Sequence, residues 1–221
     1  MPHPTPQTKK FKDIELIIFD WSGVISDDRL PVYEANKVIV KKYGVEIEDY
    51  QNWLLHSPGS AVEYFVELGI TQDHGVLAKE FNEALAKARQ GGIHPTVYPD
   101  AVTALGELAL LHEKIFVVSK HPQNHLVKEA KEYGVAQYLT GIAGDVQDKS
   151  VAIKSLLLST ELKPDLVAYI GDSTYDIRSA KQAGVISIGI TTGYHNHDQL
   201  FAEHPDLLVN SLTELLSYLK S

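Results

Sequence analysis

Asp20 closes an unbroken apolar run, Leu16 to Phe19, and Gly23 follows three residues later. Two further apolar runs end in polar residues. One, from Lys114, ends at Ser119; the other, from Leu166, ends at Asp172, inside Gly171-Asp-Ser-Thr-Tyr-Asp176. Short continuous apolar runs read as strands buried on both faces, as in a parallel sheet. If these strands are parallel neighbours, Asp20, Ser119 and Asp172 meet at the carboxyl edge, where open α/β sheets place their ligands. Taken singly, Asp20 is a strand-end aspartate of the kind common in turns, and Asp172 is a helix N-cap. Taken together with Asp176, one helical turn on, they form a hard oxygen cluster. Such a cluster suits Mg²⁺, which takes one or two carboxylates and completes its shell with water and substrate phosphate. A cation also relieves the repulsion between carboxylates held close together. In this setting Asp20 reads as a nucleophile. The Ser119 hydroxyl can donate to a phosphate oxygen, and Lys149 can bring a point charge to the same phosphate from the next loop. A lone lysine is otherwise a solvated surface group.

The elements that must position these groups follow from periodicity. After Asp20, residues 21–28 read as a turn and a small hairpin or flap. From Pro31 the pattern turns helical, with Val32, Ala35, Val38 and Ile39 on one face and a stop near Gly44. Further helices are expected over Ile47–Leu55, Ala61–Leu68 and Val76–Arg89, before Gly91-Gly92. The chain then re-enters strand–helix alternation. Helices are expected over Ala101–Leu111, Gln123–Tyr133, Ser150–Ser159, Tyr175–Ala183 and Leu212–Leu219. Strands are expected over Lys114–Ser119, Tyr138–Ala143, Leu166–Asp172, Val185–Ile190 and Leu207–Val209. This rhythm implies right-handed βαβ units and a doubly wound, mostly parallel sheet. The expected organisation is a flexible tail over 1–12, an α/β core over 13–29 and 93–221, and a helical insert over 30–92.

Composition narrows the function. The net charge of -9 disfavours non-specific binding to nucleic acid or anionic membrane. No cysteine occurs, which removes disulfides, thiolate catalysis and Cys-ligated zinc. The amino-terminal residues lack the apolar core of a secretory signal, no stretch is long enough to cross a bilayer, and the expected location is cytoplasmic.

Four motifs occur in a fixed order: Phe19-Asp-Trp-Ser-Gly-Val24, Val117-Val-Ser119, Lys149, and Gly171-Asp172 to Asp176. On these, over roughly residues 14–219, the chain resembles the haloacid dehalogenase-like hydrolases. Thr192-Gly-Tyr194 and Pro205 to Asn210 fit the same pattern. The resemblance implies a small phosphorylated substrate, an aspartyl-phosphate at Asp20, and Mg²⁺ held by Asp20, the Ser22 carbonyl and Asp172, with Asp176 in support. Ser119 and Lys149 would hold the phosphoryl group, beside Ser22, Gly23 and Lys120. Residues 30–92 resemble a substrate-selecting cap, and the loop at His56 to Gly59 is its expected reader.

One position departs from the family. Its phosphatases carry a second aspartate two residues after the nucleophile, as general acid and base; here that residue is Ser22. General acid–base help is typically a factor of about 10²–10⁴. A slow phosphatase remains open, with Asp27, Asp28 or His56 supplying the proton. So does a hydrolase of the phosphonoacetaldehyde type, which needs a cap lysine; Lys37, Lys41 and Lys42 are the available ones. A dehalogenase-like enzyme and a non-catalytic phospholigand-binding protein stay open too. His121 lies beside the proposed phosphate site. His195 and His197 have metal-ligand spacing but no visible third ligand, and read as a polar surface loop.

Overall fold

The computed structural model describes residues 11–56, 60–111 and 114–220. In chain order the strands are β1 (Leu16–Phe19), β2 (Ser26–Asp27), β3 (Thr96–Val97), β4 (Lys114–Val118), β5 (Gly141–Ala143), β6 (Val167–Gly171), β7 (Ile186–Ile190) and β8 (Leu207–Val209). The α-helices are α1 (Arg29–Lys42), α2 (Tyr50–His56), α3 (Ala61–Glu67), α4 (His74–Gln90), α5 (Ala101–Leu110), α6 (Gln123–Glu132), α7 (Lys149–Thr160), α8 (Thr174–Ala183), α9 (His197–Ala202) and α10 (Leu212–Lys220).

Six strands form one parallel sheet in the order β5-β4-β1-β6-β7-β8. β1 lies at its centre, and all four of its side chains are fully buried. Ile17 and Phe19 enter one apolar cluster with α5, α6 and α10; Leu16 and Ile18 enter another with α7 and α8. Alternate side chains of a strand point to opposite faces, so a run with no polar residue is what a strand covered by helices on both sides requires. The doubly wound expectation therefore holds. Helices α1 to α4 build a cluster of their own around Ile39, Val40, Trp53, Phe65 and Leu77.

Several local expectations are corrected. Val38 is exposed, while Tyr33 and Asn36 take the buried face of α1. The strand of the flap after Asp20 finds its partner outside the flap: β2 pairs antiparallel with β3, about seventy residues on. A one-turn approach at Ser22 and Ser26 precedes it, with the Trp21 carbonyl accepting from the amides of Ile25 and Ser26. The two passages between the sheet and the α1–α4 layer are thus tied to each other. The strand expected from Tyr138 begins only at Gly141, after a 3₁₀ turn over Ala136–Tyr138. Residues 1–10 lie outside the described residues, but Phe11–Asp13 form a 3₁₀ turn, and the Phe11 ring meets Tyr218 edge-on at 6.3 Å. Phe11, expected in the tail, thus packs against α10. No helix of the described residues is long and apolar enough to cross a membrane.

Candidate active site

The register of β4, β1 and β6 brings Asp20, Ser119 and Asp172 to one edge. The Asp20 amide donates to the Ile170 carbonyl at 2.9 Å, and the Ser119 amide donates to Ala143 at 3.0 Å. All three side chains are buried. Asp176 reaches the same place by a different route. Ser173, not Asp172, is the N-cap of α8, and it forms a capping box with Asp176. That correction leaves Asp172 unused by the helix and aimed at the cluster. Asp176 also accepts from the Tyr169 hydroxyl at 3.0 Å.

Lys149 is the first residue of α7, directly after its N-cap Asp148, whose side chain accepts from Ser150 and Val151. The cap fixes the first turn, and the ammonium is carried inward. Its Nζ lies 2.7 Å from Asp20 Oδ2 and 2.7 Å from Asp176 Oδ1. It is 3% exposed, so the surface-lysine reading fails.

Asp20, Asp172 and Asp176 offer oxygens within 4.8 Å of one another. Their electrostatics differ. Burial raises Asp176, but Lys149, Ser173 and Tyr169 outweigh it and hold the carboxyl below its ordinary range. Burial raises Asp20, with Lys149 pulling the other way. Burial, with the charges of Asp176 and Asp20, pushes Asp172 well above the usual range. Burial disfavours the Lys149 ammonium, yet the two aspartates raise its pKa. One ammonium thus faces three buried carboxylates. Asp172, which accepts from the Tyr194 amide at 2.7 Å, is not one of its two partners. A further cation would settle that imbalance, and three carboxylate groups are the donors a hard divalent ion takes.

Two glycines make the space. Gly23 has φ +76°, and a Cβ there would fall 2.1 Å from Asp172 Oδ2; at Gly193 it would fall 1.8 Å away. Both loops pass against the Asp172 carboxylate because they carry no side chain. The Thr192 hydroxyl donates to the Gly23 carbonyl at 2.6 Å, joining them.

Ser22 is half-buried, and its hydroxyl donates to Asp28 Oδ2 at 2.8 Å; the Tyr194 hydroxyl donates to Asp28 Oδ1 at 2.9 Å. Burial raises the Asp28 pKa against these two hydrogen bonds. Asp27, by contrast, is held by Arg29 through two hydrogen bonds of 2.8 and 2.7 Å. Of Asp27 and Asp28, the expected proton sources whose side chains are described, Asp28 is the one that lines the site. His56 ends α2, but its side chain and residues 57–59 lie outside the described residues.

A cavity of about 570 Å³ connects these groups. Asp20, Ser22, Asp28, Ser119, Lys149 and Asp172 line its sheet side. Lys120 is exposed at its edge, with its ammonium 4.0 Å over the Tyr175 ring. Among the described lining residues, Lys37, Lys41 and Lys42 are absent. Lys37 pairs with Glu34 and Lys42 with Glu80. His195 lines the cavity and accepts from the Thr174 amide at 3.0 Å, and burial lowers its pKa. His197 is exposed and stacks on Phe201, so the two histidines do not share a site. They flank Asn196, whose capping box starts the unexpected helix α9.

Sequence reasoning misses Glu129, which is buried and accepts from Trp21 Nε1 at 2.7 Å. Trp21, next to Asp20, also stacks on Tyr133 at 5.8 Å. It misses Asn36 as well, a polar residue between Val32 and Ile39 on the apolar face of α1. That interruption is the signal by which it could be found.

The family model "haloacid dehalogenase-like hydrolase" matches residues 17–190. The chain is 25% identical over 222 residues to a phosphoglycolate phosphatase of Vibrio parahaemolyticus, covering 93% of this chain and 96% of that one. It is 28% identical over 242 residues to a phosphoglycolate phosphatase of Escherichia coli, covering 94% and 93%. A haloacid dehalogenase-like family hydrolase from Streptococcus pneumoniae has the same fold, with a TM-score of 0.81 at 21% identity, covering 93% of this chain and 98% of that one. A sheet whose central strand ends in a buried aspartate, matched over most of its length by that family, has one reading: the chain belongs to the haloacid dehalogenase-like hydrolases.

Proposed function

We propose that the chain hydrolyses a small phosphomonoester through an aspartyl-phosphate at Asp20. The observation that carries this reading is the convergence of Asp20, Lys149, Asp172 and Asp176 beside Ser119 at one end of a cavity. The names of the relatives at 25% and 28% identity support it.

An Asp20 oxygen attacks phosphorus, and the bond from phosphorus to the leaving oxygen breaks. Water then attacks phosphorus, inorganic phosphate leaves, and the Asp20 carboxylate is restored. Ser119 and Lys149 hold the phosphoryl oxygens; Lys149, 2.7 Å from Asp20 Oδ2, also opposes the rise that burial imposes on the Asp20 pKa. Mg²⁺ held by Asp20, Asp172 and the Ser22 carbonyl, with Asp176 in support, would offset negative charge as the phosphoryl group moves. Asp28 stands in for the missing second aspartate: in its protonated form it gives its proton to Ser22 Oγ as the Ser22 hydroxyl gives its own to the leaving oxygen, and the same pair takes a proton back from the attacking water. Helices α1 to α4 act as the cap that shields this chemistry from water.

The test is p-nitrophenyl phosphate hydrolysis in Mg²⁺ by the native chain and by Asp20→Asn. The variant is expected to lose turnover by more than about 10³-fold. Equal turnover by both would overturn the assignment. Absence of turnover by the native chain, with phosphorylated ligands still raising its melting temperature, would favour a phospholigand-binding protein.

A further inference from the structure

The cavity has a second side, formed by α1, α3 and α4. Asn36, Tyr64, Phe81 and Val32 line it, with Glu63 at the rim. Asn36 is 1% exposed, yet its Oδ1 has no hydrogen-bond partner among the described residues. A buried acceptor left unsatisfied carries an uncompensated desolvation penalty, so a donor arriving with a ligand would find a ready partner there. Tyr64, Phe81 and Val32 offer apolar contact on either side of it. Among the described residues Glu63 is the formal charge on this side, and it is negative. The sequence from Tyr43 to Ala78 contains no lysine or arginine at all. The cations that line the cavity, Lys149, Lys120 and Arg178, belong to the sheet side. Lys149 is engaged by Asp20 and Asp176, and Arg178 by Glu203.

A carboxylate reaching this side would therefore be desolvated opposite an amide and a glutamate, while Lys120, over the Tyr175 ring, stays on the sheet side. A neutral hydroxyl would instead satisfy Asn36. We propose that this half of the cavity selects a phosphomonoester with a neutral, hydroxyl-bearing leaving group, a polyol or sugar phosphate, with Asn36 Oδ1 accepting one hydroxyl hydrogen. Selection in this sense rests on Asp20 marking the phosphate end, and it separates this chain from the phosphoglycolate phosphatases it resembles, whose named substrate carries a carboxylate.

The experiment compares kcat/KM for glycerol 1-phosphate, a hexose 6-phosphate and phosphoglycolate, in Mg²⁺, on the full chain. At least one polyol or sugar phosphate is expected to exceed phosphoglycolate by tenfold or more. Asn36→Ala is expected to shrink that ratio about tenfold, and Glu63→Lys to shrink it by improving phosphoglycolate. Phosphoglycolate as the best substrate overturns the proposal; so does an Asn36→Ala variant that slows all three equally. Thermal melting checks that Asn36→Ala is folded; if it is not, the exposed Glu63→Lys change carries the test, and an unchanged ratio there counts against the proposal. If the native chain fails to hydrolyse even p-nitrophenyl phosphate, the phosphatase reading fails separately. Selection is then read by calorimetric binding of the same three phosphates to Asp20→Asn, where equal or reversed affinities overturn it.

Discussion

Replacing Lys149 with methionine removes the one ammonium at the centre of the site and keeps most of its volume. Its Nζ makes two contacts of 2.7 Å, to Asp20 and Asp176. At an effective dielectric constant of about 20, each is worth about 6 kcal/mol of Coulomb attraction before desolvation is counted. Burying the three ions consumes most of this, and removing one partner of a buried pair costs about 3–5 kcal/mol. The Lys149→Met variant is expected to lose that much in denaturant unfolding at pH 7 in EDTA, against a usual domain stability of about 5–15 kcal/mol. The pH dependence has a definite sign. In the native chain Lys149 and its neighbours hold Asp176 below the ordinary carboxylate range. Its contribution is therefore present above the unfolded value of about 3.9 and is lost as pH falls through the folded one. Without Lys149 that depression disappears, so the deficit of the variant is full at pH 7 and shrinks as pH falls below about 4. Mg²⁺ is expected to restore part of the loss, about 2.7 kcal/mol at a hundred times its dissociation constant. Activity falls in parallel, by about 10²–10³-fold, as for loss of one fixed donor to a transition state. A loss of stability under about 1 kcal/mol, or one independent of pH, would refute the assignment of Lys149 as the balancing charge.

Asp28→Asn is expected to slow hydrolysis of alkyl phosphates by about 10²-fold or more, at the low end of general acid–base help. It should slow p-nitrophenyl phosphate far less, because that leaving group needs little protonation; equal losses on both would remove Asp28 from proton transfer. Gly193→Ala puts a methyl group 1.8 Å from Asp172 Oδ2. Titration of the melting temperature with Mg²⁺ should show the stabilisation of the native chain and little in this variant. Glu129→Gln weakens a buried charge-assisted bond to Trp21 worth about 1.5–3 kcal/mol. Burial raises Glu129, but His121, Trp21 and Arg89 outweigh it and hold its carboxyl low. The contribution is present above the unfolded value of about 4.3 and lost as pH falls through the folded one. Chemical unfolding at pH 7 and at pH 3.5 should therefore show a larger difference from the native chain at pH 7.

The sheet and its catalytic edge were legible in the sequence because they rest on local signals. A strand covered on both faces needs an unbroken apolar run, and Leu16 to Phe19, Ile115 to Val118 and Val167 to Ile170 supply one each. Parallel pairing then places the residues that follow these runs together, whatever the helices do. That reasoning located Asp20, Ser119 and Asp172 by counting along the chain. Lys149 was legible as a candidate, but not as a buried ion. Its burial depends on the Asp148 cap and on two aspartates from other elements. Tertiary structure alone decided the rest. β2 finds its partner in β3, far along the chain, and that pairing ties Asp28 near Ser22. Tyr194 crosses from the far loop to hold the other oxygen of Asp28. Asn36 faces the cavity only because α1 packs on α4 and turns Val38 outward. Periodicity states which side of a helix is apolar, but not what that side meets. The convergence of Asp20, Ser119 and Asp172 could be read from strand ends. The neighbours of Ser22, and the groups that face a leaving group, come from contacts between distant segments, which no local pattern encodes.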